Sequence, residues 1–194
     1  MNYKIILASN SPRRKELLKG LDIDFEVRVI PDIDESYPSG TSLKKIPAFI
    51  AKKKADAYRT SIKEDELIIT ADTVVILDGD IIEKPADNNE AIQMIKRLSG
   101  RKHQVITAVV LTTSNSSKEF SVESIVDFAE LTNDEIEYYV EKYKPYDKAG
   151  AYGIQEWIGY IGVKGIEGSF YNVMGLPIQR LYQELKNYFV GADL

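Results

Sequence analysis

The stretch KIILASNSPRR, residues 4–14, decides how the rest of the chain is read. Residues 4–8 form a short apolar run of strand length, Ser9-Asn10-Ser11 interrupt it, and Pro12 stands where a helix opens. Ser11 is the natural N-cap, since its hydroxyl can accept from the unpaired N–H groups of a first turn. Pro12 suits the first helical position, where its missing N–H is not needed. The helix is expected to run to about Gly20.

Working outward, residues 23–30 (IDFEVRVI) alternate apolar and polar side chains as a half-buried strand does. Pro31 to Gly40 is an acidic loop carrying Asp32, Asp34 and Glu35, and a helix is expected from Leu43 to Tyr58. Residues 66–77 (ELIITADTVVIL) hold two β-rich runs around Ala71-Asp72-Thr73, and Asp78-Gly79 signals a hairpin into Ile81-Ile82 that Pro85 ends. Three later stretches carry the apolar spacing of amphipathic helices: Ala91, Met94, Ile95, Leu98; Ile136, Tyr139, Val140, Tyr143; and Ile178, Leu181, Tyr182, Leu185. Gly100 follows the first where a C-terminal glycine cap is expected, and Thr132 with Glu135 predicts a capping box before the second. Between these two helices, Gln104–Thr113 and Phe120–Phe128 read as strands joined by the polar turn Ser114–Lys118. Strands and helices mixed in this order predict an α/β or α+β fold with a mixed sheet, and no repeat or linker marks a boundary within residues 1–194, so one domain is expected.

Composition narrows the chemistry. With 25 Lys+Arg against 30 Asp+Glu the net charge is −5, without the basic footprint of strong nucleic-acid binding. Hydrophobic residues at 44 % and charged residues at 28 % are those of a packed globular domain. Cysteine is absent, which removes disulfides, thiolate metal sites and a cysteine nucleophile, and a single histidine, His103, limits imidazole chemistry. No apolar run approaches the roughly 18 residues of a membrane span, and residues 1–14 lack signal-peptide order, so a cytoplasmic protein is expected. No phosphate-binding loop of the Gly-x-x-x-x-Gly-Lys-Ser/Thr type is present, which argues against a kinase-like phosphotransferase.

The residues that could carry chemistry fall into four groups. Ser9, Ser11, Arg13 and Arg14 surround a helix start, where unpaired N–H groups favour an anion; they fit a triphosphate cradle or an ordinary capped helix with two solvated arginines. Asp32, Asp34 and Glu35 in one loop, with Asp72 at an expected strand end, are hard oxygen donors for Mg²⁺ or Mn²⁺, or else loop solvation and a turn cap. Of Lys52, Lys53 and Lys54 at most one or two can face a shared site, being about 100° apart on a helix, whereas Lys84 is restrained by Pro85. Asp147-Lys148-Ala149-Gly150-Ala151-Tyr152-Gly153-Ile154-Gln155 permits close backbone approach and ends in an amide able to read a base edge, or is a tight loop. His103 reads as a hydrogen-bonded structural residue. Trp157, Tyr138, Tyr146 and Tyr152 could stack on a base or form a subunit contact, while Tyr139 and Tyr143 have core spacing.

Taken in order, these segments resemble the Maf family of nucleoside triphosphate pyrophosphatases. The resemblance rests on Leu7 to Arg14, Asp34-Glu35, Lys54-Ala55, Ala71-Asp72-Thr73, Glu83-Lys84-Pro85, Ser99-Gly100 with His103, Val105 and Thr107, Asp147 to Gln155, and Gly168-Ser169 with Gly175-Leu176-Pro177. Asn10 and Ser124 are small departures. The resemblance implies a twisted mixed sheet flanked by helices, in two lobes around a nucleotide-binding cleft, as in the Maf and ITPase-like folds. It implies a nucleoside triphosphate substrate cleaved between its α- and β-phosphates with a divalent cation, Mg²⁺ or Mn²⁺. By similarity Asp72 is the proton acceptor and holds the metal with Glu35. Ser9, Ser11, Arg14, Lys54 and Lys84 meet phosphate, Lys84 also being catalytic, and Arg13, Thr73 and Gln155 set specificity for dTTP, UTP and modified uridine nucleotides. The family often forms homodimers and is associated with house-cleaning and cell-division arrest; the alternative is a nucleotide-binding regulator of division without turnover.

Overall fold

The junction read from residues 4–14 forms as expected. In the computed structural model, which describes residues 3–188, strand β1 (Lys4–Leu7) leads into helix α1 (Pro12–Lys19). Ser11 is the N-cap and its Oγ accepts from the Arg14 N–H at 3.4 Å. β1 lies between β2 (Phe25–Val27) and β3 (Glu66–Leu77), parallel to both, with Ile5 opposite Phe25 and Leu67. Ile5, Ile6 and Leu7 are all buried, as a central parallel strand covered on both faces requires.

β2 is shorter than the alternation over 23–30 suggests, because a tyrosine takes over where the ladder stops. The Arg28 N–H donates to the Leu7 carbonyl, and beyond it the buried Tyr58 hydroxyl accepts from the Ile30 N–H at 3.0 Å and donates to the Arg28 carbonyl at 2.8 Å. The helix expected from Leu43 divides into a 3-10 turn (Leu43–Lys45) and α2 (Ile46–Asp56). Pro47 lacks the N–H needed for a continuous ladder and sits in the first turn of α2, where none is required.

The larger correction concerns residues 66–77, which are one strand of 12 residues and not two runs. Ala71-Asp72-Thr73 contains neither glycine nor proline, the extended backbone runs through it, and Asp72 lies inside β3 instead of at a strand end. β3 pairs β1 over Glu66–Ile69 and, antiparallel, β4 (Asp80–Ile82) over Val75–Leu77, so Asp72 falls between the two pairings. At the hairpin both Asp78 (φ 51°) and Gly79 (φ 85°) are left-handed, which is what a two-residue type I′ turn demands.

The remaining elements are α3 (Asn88–Leu98), β5 (Lys102–Thr112), β6 (Ser117–Phe128), α4 (Asn133–Tyr143), α5 (Trp157–Gly162), β7 (Val163–Glu167), α6 (Phe170–Met174) and α7 (Ile178–Leu185). The capping box of α4 is complete, Thr132 and Glu135 bonding reciprocally. Gly100 is left-handed (φ 70°), but its N–H donates to the Ala129 carbonyl and not back into α3, which Ser99 caps. The sheet order is β2-β1-β3-β5-β6-β7, with β4 on β3 and β7 antiparallel to β6; the fold is mixed α/β with helices flanking the sheet.

The chain forms two compact units. The first holds residues through Asp72, Thr107–Val122 and the chain from Gly175; the second holds Thr73–Ile106 and Glu123–Met174. In the first, Ala51 and Ala55 of α2 pack on Ala108 and Val110 of β5, small side chains that let the helix approach closely. In the second, His103, Phe128 and Tyr152 meet edge to face with ring centroids 4.9 to 5.4 Å apart.

One ion pair stabilises the first unit. Glu66, 1 % exposed, accepts from both terminal nitrogens of Arg28 at 2.7 and 2.9 Å and from the Lys63 N–H. The guanidinium holds the Glu66 carboxyl down at about 2, against an ordinary 4.5. The pair's contribution is therefore complete above pH 4.5 and is lost as pH falls towards 2. Discounting for the partly exposed Arg28, urea unfolding of Glu66→Gln at pH 7 is expected to show a loss on the order of 2 kcal/mol relative to the parent, shrinking as the pH of the measurement falls through that window.

Candidate functional site

The first unit brings together most of the residues singled out in the sequence. Lys54, near the end of α2, places its Nζ 2.9 Å from Asp72 Oδ1 and 3.1 Å from Glu35 Oε1. Side chains of a helix, a loop and a strand thus converge on one ammonium. Asp72 is 13 % exposed and Lys54 16 %, whereas Glu35 reaches in from a loop and is half exposed. Burial pushes the Asp72 carboxyl above its ordinary range, against the opposing pull of Lys54 and Arg14.

Arg14 projects from α1, its Nε donating to the Gly175 carbonyl at 2.8 Å and its Nη1 to the Ala71 carbonyl at 2.9 Å. Burial lowers the proton affinity of this guanidinium and the Asp72 charge partly restores it. Two of the arginine's donors are thereby committed to backbone, a use the motif alone did not indicate. Ser9 is buried, its Oγ accepting from the Ser11 N–H at 3.2 Å, and Arg13 is half-buried in the first turn of α1.

The three lysines separate as helical geometry requires. Lys52 pairs with Asp56 on the outer face, Lys53 takes Asp34 Oδ2 at 2.7 Å and the Ser36 carbonyl at 2.9 Å, and Lys54 alone faces Asp72. Asp34 therefore clips its loop to α2 through Lys53 while its neighbour Glu35 meets Lys54; Lys53 and the Ser36 N–H hold its carboxyl well below the usual carboxylate range. Asp32 is exposed, with left-handed backbone (φ 54°).

The second unit holds the other candidates. Thr73, half-buried, follows Asp72 in β3, and Lys84 is exposed beyond β4 with Pro85 buried behind it. The Gly150 N–H donates to the Glu83 carbonyl at 3.0 Å, which ties the stretch carrying Lys84 to the segment ending in Gln155. That segment is braced from within. Lys148 bridges Asp147 and Glu156 at 2.8 and 3.1 Å, while Tyr139 donates to Glu156 and accepts from the Gly153 N–H. A Cβ at Gly153 would lie 2.6 Å from the Glu156 carboxyl group, so any larger residue there would push Glu156 off Tyr139 and Lys148. Gln155 Oε1 is buried without a hydrogen-bond partner among the described residues, an acceptor left for something else.

His103 is the structural residue expected: its Nε2 is hydrogen-bonded to the Tyr152 hydroxyl at 2.7 Å, and burial lowers it to about 4. Tyr139 is core as its spacing predicted, stacked on Tyr143 at 5.0 Å. Sequence reasoning missed the Gly175 carbonyl and the Tyr139–Glu156–Lys148 brace. No local pattern announces a carbonyl partner 161 residues away, although Glu156 directly after Gln155 could have suggested a role for Lys148.

Among the described residues no group of three His, Cys, Asp or Glu side chains is arranged to hold a metal ion. The donor set that converges is two carboxylates, Glu35 and Asp72. This fits Mg²⁺ or Mn²⁺ completing its shell with substrate phosphates and water, since such ions take one or two carboxylates and keep much of their hydration. No helix among the described residues is long and apolar enough to cross a membrane.

The fold defines the class first. Two solved Ham1 proteins superpose on the chain: that of Staphylococcus aureus at TM-score 0.51 and 20 % identity, covering 93 % of this chain and 99 % of that one, and that of Coxiella burnetii at 0.52 and 17 %, covering 95 % and 99 %. The family follows from sequence. A family model described as Maf-like protein matches residues 4–188, and the chain belongs to that family. Similar relatives include proteins named dTTP/UTP pyrophosphatase from Parabacteroides distasonis (62 % identical, 96 % of each chain covered), Bacteroides thetaiotaomicron (59 %, 95 % of each) and Porphyromonas gingivalis (56 %, 96 % of this chain and 94 % of that one).

The Arg14 contacts yield a stability prediction. Arg14→Lys keeps the charge but cannot span two carbonyls, and thermal or urea unfolding is expected to show a loss of about 1.5–3 kcal/mol, the value of one charge-assisted hydrogen bond. An unchanged midpoint would mean the carbonyls are satisfied without the guanidinium.

Proposed function

We propose that this protein hydrolyses dTTP and UTP, and modified uridine nucleotides, at the anhydride between the α- and β-phosphates, releasing the nucleoside monophosphate and pyrophosphate. The names of the relatives support the substrate class. The observation that carries the reading in this chain is the largely buried Asp72 carboxylate held beside the Lys54 ammonium at 2.9 Å, with Glu35 on the same ammonium.

In this reading Asp72 accepts a proton from the attacking water. Burial favours that role by raising the carboxyl's proton affinity, and Lys54 and Arg14 keep it ionised until it is needed. Glu35 and Asp72 would also hold a divalent cation, whose chemistry when bound is to neutralise phosphate charge and polarise the anhydride. Ser9, Ser11 and Arg14 around the α1 N-terminus, with Lys54, offer donors to phosphate oxygens, and the charge they meet grows as pyrophosphate departs. In the second unit we assign Lys84 a phosphate contact and Gln155 the reading of the base edge, supported by its unpaired buried Oε1; Arg13 and Thr73 share the selection of substrate. The cytoplasmic setting expected from sequence suits such a substrate.

Two substitutions test this assignment. Asp72→Asn preserves size and removes the proton acceptor; pyrophosphate release from dTTP is expected to fall by at least about two decades, the span of general-base catalysis. Near-parental turnover would remove Asp72 from the role. Lys84→Ala is expected to slow turnover by roughly one to two decades, corresponding to about 1.5–3 kcal/mol. Saturable dTTP binding by the parent without release of pyrophosphate from any nucleotide would instead favour a regulator.

A further inference from the structure

We propose that the Lys54 ammonium is the resident counter-ion of the Glu35–Asp72 pair, holding the place of the divalent cation in the free protein and yielding it when a nucleotide arrives. The metal then enters as its nucleotide complex and binds poorly alone. The inference rests on the reading that Glu35 and Asp72 hold the metal.

The geometry supplies the competition. One nitrogen lies 2.9 Å from Asp72 Oδ1 and 3.1 Å from Glu35 Oε1, so it occupies one oxygen of each carboxylate that a dication would draw on. A positive charge of one and a positive charge of two cannot share those oxygens in a partly desolvated site without strong repulsion. The ammonium must therefore leave, and, being largely buried, it needs a new acceptor as it goes. A triphosphate provides acceptor oxygens in the step that delivers the ion, whereas a free ion provides none.

The surroundings confine the exchange to one side chain. α2 is fixed by the Thr70 hydroxyl donating to the Ala51 carbonyl at 2.8 Å and by Ala51 and Ala55 packed on Ala108 and Val110. Only the flexible stem of Lys54 is left to swing. The loop bearing Glu35 does not depend on Lys54 for its position, because Lys53 grips Asp34 and Ser36 next to it. Glu35 therefore remains presented to the incoming ion after the ammonium has changed partner.

The experiment measures Mn²⁺ binding by the fall of the free-ion electron paramagnetic resonance signal, without nucleotide and with a dTTP analogue carrying a methylene between its α- and β-phosphates. The proteins are the parent, Lys54→Met and Lys54→Arg. Without nucleotide, Lys54→Met is expected to bind Mn²⁺ at least tenfold more tightly than the parent and Lys54→Arg no more tightly, and the analogue should tighten Mn²⁺ binding more for the parent than for Lys54→Met. Equal or weaker binding by Lys54→Met overturns the proposal, as does a gain that survives addition of Glu35→Gln. Should Lys54→Met unfold readily, the rise in melting temperature on adding Mn²⁺ alone gives the same comparison, and a rise no larger than the parent's overturns it. A parent that releases no pyrophosphate yet gives the expected Mn²⁺ pattern defeats the hydrolase reading and not this one; an active parent with all three proteins binding Mn²⁺ alike does the reverse.

Discussion

A half-buried guanidinium organises the first unit. Arg14 must find acceptors because an unpaired cation away from water is costly, and it finds them in the carbonyls of Ala71 and Gly175. Three segments distant in sequence are thereby held at one point: the β1–α1 junction, the middle of β3 and the chain entering α7. Fixing the Ala71 carbonyl fixes the strand on which Asp72 follows, and with it the direction in which that carboxylate emerges. Lys54 approaches from α2, whose position depends on alanines small enough to let the helix close on β5.

The charges of this region work as a sequence of partners. Arg28 satisfies Glu66, Lys53 satisfies Asp34, and Lys54 and Arg14 both act on Asp72. The pairs differ in how far each partner is closed off from solvent. The exposed Lys53–Asp34 clip contributes little energy but holds a loop in register, whereas the buried Arg28–Glu66 pair stabilises the sheet. The Lys54–Asp72 pair is about as buried as Arg28–Glu66, but neither of its partners is fully closed off, so it is ordered enough to be specific and still able to change partner. The net charge of −5 hides this arrangement, since it averages over the whole chain.

Much of this was legible in the sequence where the signal is local. Ser11 and Pro12 announced α1, Asp78-Gly79 the hairpin, Thr132 and Glu135 the cap of α4, and helical spacing the buried faces of α3, α4 and α7. What failed was non-local or double in meaning. Polar Asp72 between two apolar runs looked like an interruption, yet extended backbone tolerates it because β3 changes partner there. The alternation of residues 23–30 outlasted its strand because the Tyr58 hydroxyl substitutes for a neighbouring strand. The short elements α5, β7 and α6 carry no strong periodicity by which the sequence could announce them. For the site, residue types and spacing located the carboxylates and lysines, but which lysine meets which carboxylate depends on tertiary approach. The Arg14 partner at Gly175 has no sequence signal.

That last contact bears on synthesis. Chains emerge from the ribosome N-terminus first, and Arg14 is made 161 residues before the carbonyl it needs. The first unit is stitched from three separated pieces of chain, with the second encoded between them. Its central cation cannot be fully satisfied until residue 175 has been made, so the Asp72 carboxylate is positioned only after both pieces of the second unit have been synthesised, and a chain cut short of that carbonyl lacks the frame that holds it.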